Sequence, residues 1–104
     1  METVHIVAII TAKPGQRRTL LESFQANVPA VLAEDGCIEY QATVDTENAG
    51  PVQTKFGDDT FVVVEKWASL DALKAHAASP HMAAYAAKSK DMIADRVIHI
   101  LSPV

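Results

Sequence analysis

Cysteine is nearly absent from this chain, since Cys37 is the only one among 104 residues. A single cysteine excludes an internal disulfide framework and a zinc site built from several cysteines. The glycine-rich phosphate loops, the serine elbow of hydrolases and the paired-histidine zinc helix are missing as well. Nucleotide and flavin cofactors therefore have no support in the sequence.

Positive charge is also scarce, because 9 Lys and Arg stand against 13 Asp and Glu, a net charge of −4. The basic residues are scattered and form no stripe that could bind phosphates, so we expect no nucleic-acid partner. The longest aliphatic stretch, residues 6–10, is far too short to span a bilayer. The first three residues carry no positive charge of the kind that opens a signal peptide, so we expect a cytoplasmic protein without a membrane partner.

Hydrophobic residues make up 49% of the chain and charged residues 21%, which is typical of one folded domain over residues 1–104. Hydrophobic periodicity, N-cap residues and turn residues predict a β-α-β-β-α-α-β order. That order indicates a two-layer α+β sandwich with helices on one side of the sheet. Because nothing would cover the other side, we expect a homodimer. The predicted strands are 4–12, 37–44, 60–68 and 97–101, with a short strand at 52–56; helices follow Gln16, Ser69 and Ser79.

The third predicted strand carries a carboxylate beside the only tryptophan. Period-two alternation places Phe61, Val63, Glu65 and Trp67 on one face of this strand. One interpretation is structural: Trp67 fills the core and Glu65 pairs with a nearby cation. The other is functional: both side chains line a cavity between the sheet and the helices.

Two histidines lie in the predicted helix pair, at His76 and His81. Their spacing of five residues, across Pro80, does not place two ligands on one helix face, so we expect no metal site. His76 falls on the apolar face of its helix and is a candidate for general acid–base work, although a hydrogen-bonded core histidine fits the pattern too. Tyr40 and Tyr85 each offer an apolar ring with a polar tip that could orient a ligand oxygen.

Eight short segments along the chain form a further pattern. They are Pro14-Gly15-Gln16, Val28-Pro29-Ala30-Val31-Leu32, Glu34-Asp35-Gly36-Cys37, Glu65-Lys66-Trp67-Ala68-Ser69, Ala75-His76, Pro80-His81-Met82, Ala84-Tyr85 and Ile100-Leu101-Ser102-Pro103. Taken together, these segments resemble the antibiotic-biosynthesis monooxygenase family, and within it the small bacterial quinol monooxygenases. No single segment is diagnostic, but their order along the chain is fairly specific for the family.

The resemblance implies a ferredoxin-like α+β fold and a dimer in which two sheets form an α/β barrel. It implies oxygenation of a quinol or hydroxylated polycyclic aromatic by dioxygen, with no flavin, haem or metal cofactor. It places Trp67 on the pocket wall and His76, His81 and Tyr85 near the substrate. We predict catalytic roles for His76, Trp67 and Tyr85, and substrate binding by Phe61, Glu65, His81, Tyr40 and Met82.

Two other functional classes remain open from the sequence, because one fold hosts many activities. An isomerase or lyase of a small carbonyl compound would use His76 as a proton shuttle and consume no oxygen. A non-catalytic dimeric domain would bind a quinone without converting it.

Overall fold

A four-stranded antiparallel sheet forms one layer of the structure, and three α-helices form the other. The computed structural model describes residues 2–104. The strands lie in the order β2-β3-β1-β4, which confirms the α+β ferredoxin-like fold. The elements are β1 (Val4–Ala12), α1 (Arg17–Leu32), β2 (Cys37–Thr43), β3 (Thr60–Trp67), α2 (Leu70–Ala77), α3 (Pro80–Ser89), a 3₁₀ turn (Lys90–Met92) and β4 (Ile93–Leu101).

The central strand β1 has a strict alternation of burial along its whole length. Its neighbours β3 and β4 pair with it in antiparallel register. Directly paired residues of neighbouring strands point to the same side of a sheet. The residues that β1 buries therefore identify the helix-facing residues of the strands that pair with it. The helix-facing residues of β1, each at most 7% exposed, are Val4, Ile6, Ala8, Ile10 and Ala12.

Helix α1 packs on this side of the sheet through Leu20, Phe24 and Val31, all of which are buried. The sequence predicts a kink or a new helical turn at Pro29. In the structure Pro29 lies inside one helix that continues to Leu32. Pro29 has no N–H to donate, but its carbonyl still accepts from the amide of Ala33 at 3.2 Å.

Helices α2 and α3 begin where the sequence predicts. The hydroxyl of Ser69 accepts from the amide of Ala72 at 3.1 Å and caps α2. Pro80 occupies the first turn of α3, where its missing N–H costs nothing. Between the helices, the Ser79 hydroxyl donates to the carbonyl of His76 at 2.8 Å. This contact fixes the end of the helix that carries His76.

Two predicted elements differ from the structure. Residues 52–56 form no strand: Val52 is 91% exposed, and the Asp45 carboxylate accepts from the amides of Phe56 and Gly57, which holds the segment as a loop. Strand β4 begins at Ile93, four residues before the predicted start. Asp95 and Arg96 have little strand preference, but pairing with Thr11 and Ile10 extends the strand.

The side of the sheet turned away from the helices is here called the open face. No helix within residues 2–104 packs on it, and most of its central side chains are aliphatic. On β4, Val97 is 40% exposed and Leu101 is 48% exposed. The register gives its members as His5, Val7, Ile9 and Thr11 on β1, Glu39, Gln41 and Thr43 on β2, Thr60, Val62, Val64 and Lys66 on β3, and Asp95, Val97, His99 and Leu101 on β4. Within residues 2–104, no helix is long and apolar enough to cross a membrane.

Candidate active site

A cavity of about 470 Å³ lies between the helix-facing side of the sheet and helices α2 and α3. Most of its wall is aliphatic or aromatic, as in typical small-molecule sites. Side chains from all four strands, the three α-helices and the 3₁₀ turn contribute to it. The polar or charged residues on the wall are Tyr40, Glu65, His76, Tyr85, Ser89, Lys90 and Arg96.

The side chain of His76 links the cavity to a carboxylate. His76 is 5% exposed and lies on the cavity wall. Its Nδ1 lies 2.7 Å from Oε2 of Glu34, 42 positions earlier in the chain. A carboxylate on Nδ1 fixes the neutral ring with its proton on that nitrogen and leaves Nε2 as the proton acceptor. The ring also packs against Trp67, with centroids 4.6 Å apart.

A glycine brings Glu34 to this histidine. The turn after α1 passes through Gly36, whose φ of +83° is in the left-handed region that favours glycine. A Cβ at Gly36 would lie 2.7 Å from the Cβ of Ala72 on α2. The carbonyl of Gly36 also accepts from the amide of Ala68 at 2.7 Å. The turn therefore lies directly against the first half of α2, about one helical turn before His76.

His81 lies on the far side of Glu34 from the cavity. Its Nε2 is 3.5 Å from Oε1 of Glu34, which is within ion-pair range, although no hydrogen bond forms there. The Asn27 amide contacts Nδ1 of His81 at 3.2 Å and donates to the sulfur of Met82 at 3.3 Å. The Glu34 carboxylate thus lies between two imidazoles, only one of which lines the cavity.

Glu65 is buried at the inner wall of the cavity and accepts a hydrogen bond from Nε1 of Trp67 at 2.9 Å. Burial raises the pKa of the Glu65 carboxyl, and this outweighs the opposing effects of the Trp67 hydrogen bond and the nearby His76 and Arg96. No cation pairs with Glu65 within 4.0 Å among residues 2–104. The ring of Trp67 is itself fully buried, so its contact with Glu65 is made from within the core.

Two tyrosine rings approach the cavity around Phe24. Tyr40 stacks on Phe24 with centroids 5.2 Å apart, and Tyr85 meets Phe24 edge-on at 6.2 Å. Burial raises the pKa values of both tyrosines, and the negative charge of Glu65 adds to the effect on Tyr40. Both phenols therefore keep their protons at neutral pH and can act as hydrogen-bond donors.

The structure brings five of the predicted site residues onto the cavity wall and leaves three behind it. Phe61 is fully buried and meets Phe24 edge-on, Trp67 packs behind His76 and Glu65, and His81 lies behind Glu34. The family resemblance implies a wall position for Trp67, but in the structure this ring fills the core behind the wall, as in the structural interpretation of the strand pattern. The five on the wall are Tyr40, Glu65, His76, Met82 and Tyr85.

Sequence reasoning missed Glu34 and the two cations Lys90 and Arg96. A signal for Glu34 was present, because a carboxylate just after the C-terminus of a helix is repelled by the negative end of the helix dipole. Its position there indicates a compensating contact with another group. Arg96 carried no such signal, because the last strand was predicted to begin at Val97, one residue after it, whereas β4 begins at Ile93. Among residues 2–104, no group of three or more His, Cys, Asp or Glu side chains is arranged to hold a metal ion.

Comparison with known proteins identifies the family. The sequence model of the family described as "Antibiotic biosynthesis monooxygenase" matches residues 3–88. The chain is 38% identical over 100 residues to "Probable quinol monooxygenase YgiN" of Escherichia coli K12, covering 94% of this chain and 95% of that protein. The chain therefore belongs to the antibiotic biosynthesis monooxygenase family, and this membership supports a monooxygenase-type activity.

Solved structures share the fold. PA3566 from Pseudomonas aeruginosa superposes with a TM-score of 0.82 at 23% identity, over 100% of this chain and 96% of that one. Rv0793 from Mycobacterium tuberculosis gives a TM-score of 0.80 at 24% identity, over 98% and 95% of the two chains. At these identities the likeness shows the fold alone.

Proposed function

We propose that this protein is a cofactor-independent monooxygenase that oxidises a quinol or a related hydroxylated aromatic with dioxygen. The observation that carries the proposal is the Glu34–His76 pair, 2.7 Å apart, with the imidazole on the wall of a largely apolar cavity. A base supported by a carboxylate at the wall of a largely apolar pocket suits the removal of a phenolic proton. The membership of the family and the likeness to YgiN support the same reaction class.

The first step is ionisation of the substrate by His76. A free phenol titrates near pH 10, so holding it ionised at pH 7 requires about 4 kcal/mol of stabilisation. Nε2 of His76 takes the phenolic proton, and Glu34 stabilises the imidazolium through Nδ1. The neutral hydroxyls of Tyr40 and Tyr85 line the cavity and can donate to the resulting oxyanion.

Oxidation then proceeds with electrons from the substrate itself. The substrate monoanion transfers one electron to dioxygen, and the semiquinone and superoxide radicals combine to form a carbon–oxygen bond. Cleavage of the oxygen–oxygen bond leaves one oxygen atom on the ring and releases the other as water. The ring carbon loses its hydrogen and the diol becomes a quinone, so a quinol and dioxygen give a hydroxyquinone and water with no external reductant.

A dimer through the open face is part of the same proposal. Aliphatic side chains cover the centre of this face, and two of them on β4 are 40–48% exposed. Sheet-to-sheet pairing of two copies would bury this apolar surface and leave both cavities free on the outer, helix-covered sides.

Oxygen uptake by metal-free protein tests the proposal. The substrates are a reduced naphthoquinol and a hydroxyquinol, and spontaneous autoxidation without protein is the control. We expect uptake well above autoxidation, and one labelled oxygen atom in the product when isotopically labelled dioxygen is supplied. Hydrogen peroxide without label in the product would contradict a monooxygenase and indicate a simple oxidase.

The same assay separates the other functional classes. Uptake equal to autoxidation for every quinol would overturn the oxygenase assignment. Conversion of a small carbonyl compound under anaerobic conditions would then identify an isomerase or lyase. Tight binding of a quinone with no conversion would identify a binding domain.

A further inference from the structure

We infer that the cavity selects an aromatic ligand that carries an anionic substituent, such as a carboxylate, and that Arg96 binds this substituent at the end of the cavity opposite Glu65. The inference rests on the proposed function for the aromatic diol, and it adds the charge of the ligand and the residue that recognises it. Arg96 is the specificity-determining residue and lies on the cavity wall.

The position of Arg96 in the sheet is the first argument. Arg96 pairs with Ile10 of β1, and Ile10 is one of the buried residues that face the helices. The next two positions of β4 on this side are Ile98 and Ile100, which pair with Ala8 and Ile6. Arg96 is exposed, and its row neighbours Ile98 and Ile100 are 43% and 54% exposed, so this strand forms a solvent-accessible side of the cavity wall. A ligand that enters the cavity from solvent can therefore reach the guanidinium.

The second argument is that the guanidinium has no anionic partner. Among residues 2–104, no Asp or Glu oxygen lies within 4.0 Å of it, and its side chain makes no hydrogen bond. Arginine presents several N–H donors in a planar fork that matches a carboxylate. A carboxylate of a ligand is therefore the complementary group that the protein itself does not supply.

The third argument is the polarity of the cavity along β1. Glu65 pairs with Ile6 and Arg96 pairs with Ile10, so the two backbone positions are about 13 Å apart along the strand. An anionic substituent would be repelled by an ionised Glu65 and drawn to Arg96. Burial raises the pKa values of Glu65 and Tyr85, and the charge of Arg96 opposes that effect on both, which agrees with a positive field that reaches into the cavity.

The competing explanation is structural, because arginine can cover apolar surface with its aliphatic stem and keep its charged end in water. That role would give no preference between charged and neutral ligands. A matched pair of redox-inert probes separates the two explanations: 3-hydroxy-2-naphthoic acid, which is ionised at pH 7, and its neutral methyl ester.

Binding of both probes is measured by isothermal titration calorimetry with three proteins: the wild type, Arg96→Gln and Arg18→Gln. Arg18 lies on α1, 93% exposed and paired with Glu22 outside the cavity, so its variant has the same change in net charge. We expect the wild type and Arg18→Gln to bind the acid about tenfold more tightly than the ester, as one charge-assisted pair allows. Arg96→Gln should bind the acid and the ester equally.

Equal binding of acid and ester by the wild type would overturn the inference, and so would a preference for the acid that survives in Arg96→Gln. The readout needs no turnover, so it is independent of the oxygenase proposal. The wild type could prefer the acid, lose this preference in Arg96→Gln, and still show no oxygen uptake above autoxidation. That result would support the anionic ligand and reject the oxygenase reaction. Normal folding of Arg96→Gln is checked by its thermal unfolding and by its retained binding of the ester.

Discussion

The helix-covered face and the open face of the sheet alternate along the same strands, yet they differ in chemistry. On the covered face, Glu65 and His76 are buried beside a cavity, and each has a hydrogen-bond partner. On the open face, the polar residues His5 and His99 surround aliphatic side chains, and no helix within residues 2–104 covers them. Buried polar groups cost free energy unless they are paired, so their presence on the covered face indicates a site. Exposed aliphatic groups with no helix over them, such as Val97 and Leu101, indicate a contact surface. On β4 the exposure continues on the other side of the sheet, where Ile98 and Ile100 are 43% and 54% exposed.

Removal of the cavity histidine has the largest expected effect on activity. His76→Ala should lower the turnover number by about 10²–10⁴, because the base that accepts the phenolic proton is lost. The matched variant His99→Ala, on the open face, should retain turnover. Oxygen uptake measures both, with thermal unfolding as the check on folding. If His76→Ala unfolds, His76→Gln is measured in its place, because glutamine keeps more of the side-chain volume. Turnover that survives either substitution would reject His76 as the base.

Loss of the carboxylate behind this histidine should have a smaller effect on the same reaction. Glu34→Gln keeps the size of the side chain but cannot compensate the charge of the imidazolium, so we expect kcat to fall about 10²-fold. KM should change little, because Glu34 acts through His76 and does not line the cavity. Asp35→Asn, an exposed neighbour in the same turn, is the control. A rise in KM with unchanged kcat would show that Glu34 affects only binding.

A charge placed at the centre of the open face tests whether that face is an interface. Val7 pairs with Val64 on one side and His99 on the other. In a dimer formed through this face, Val7→Lys would bury an unpaired cation, so we expect association at least about tenfold weaker than in the wild type. Val52→Lys makes the same substitution in an exposed loop and should leave the dimer intact. Sedimentation velocity over a range of concentrations measures both, and a wild type that stays monomeric would reject the interface.

The smallest expected effect concerns the buried carboxyl group of Glu65. Its pKa in the folded protein is raised, mainly by burial, so the fold favours the protonated form. Stability from this group is therefore fully present below the unfolded-state pKa, near 4.3, and is lost as the pH rises through the folded-state pKa. Glu65→Gln remains neutral and can still accept from Trp67. Its Tm should match the wild type near pH 4 and exceed it increasingly toward pH 7.

The control for this comparison is Glu47→Gln in the exposed loop between β2 and β3. Differential scanning calorimetry at several pH values follows the Tm of the three proteins. A Tm difference between Glu65→Gln and the wild type that does not grow with pH would show that burial of Glu65 carries no electrostatic cost.

Local patterns in the sequence were sufficient for most of the fold. The alternation of burial in β1 follows from the two-residue period of a strand, and Ser69 and Pro80 mark helix starts through their own backbone chemistry. Residues 52–56 resembled a strand locally, but the Asp45 carboxylate holds the amides of Phe56 and Gly57 in a loop. The early start of β4 came from pairing with β1, which a local pattern does not contain.

The sequence by itself determined the strand and helix order, the face on which His76 and Glu65 point, and the likeness to a family. The tertiary structure alone decided which groups meet. Glu34 reaches His76 across 42 positions because Gly36 allows the turn to lie against Ala72. Trp67 lies behind the cavity wall, whereas Arg96 lies on it. Periodicity fixes the direction of a side chain along its own element, but a contact between elements depends on how closely their backbones approach.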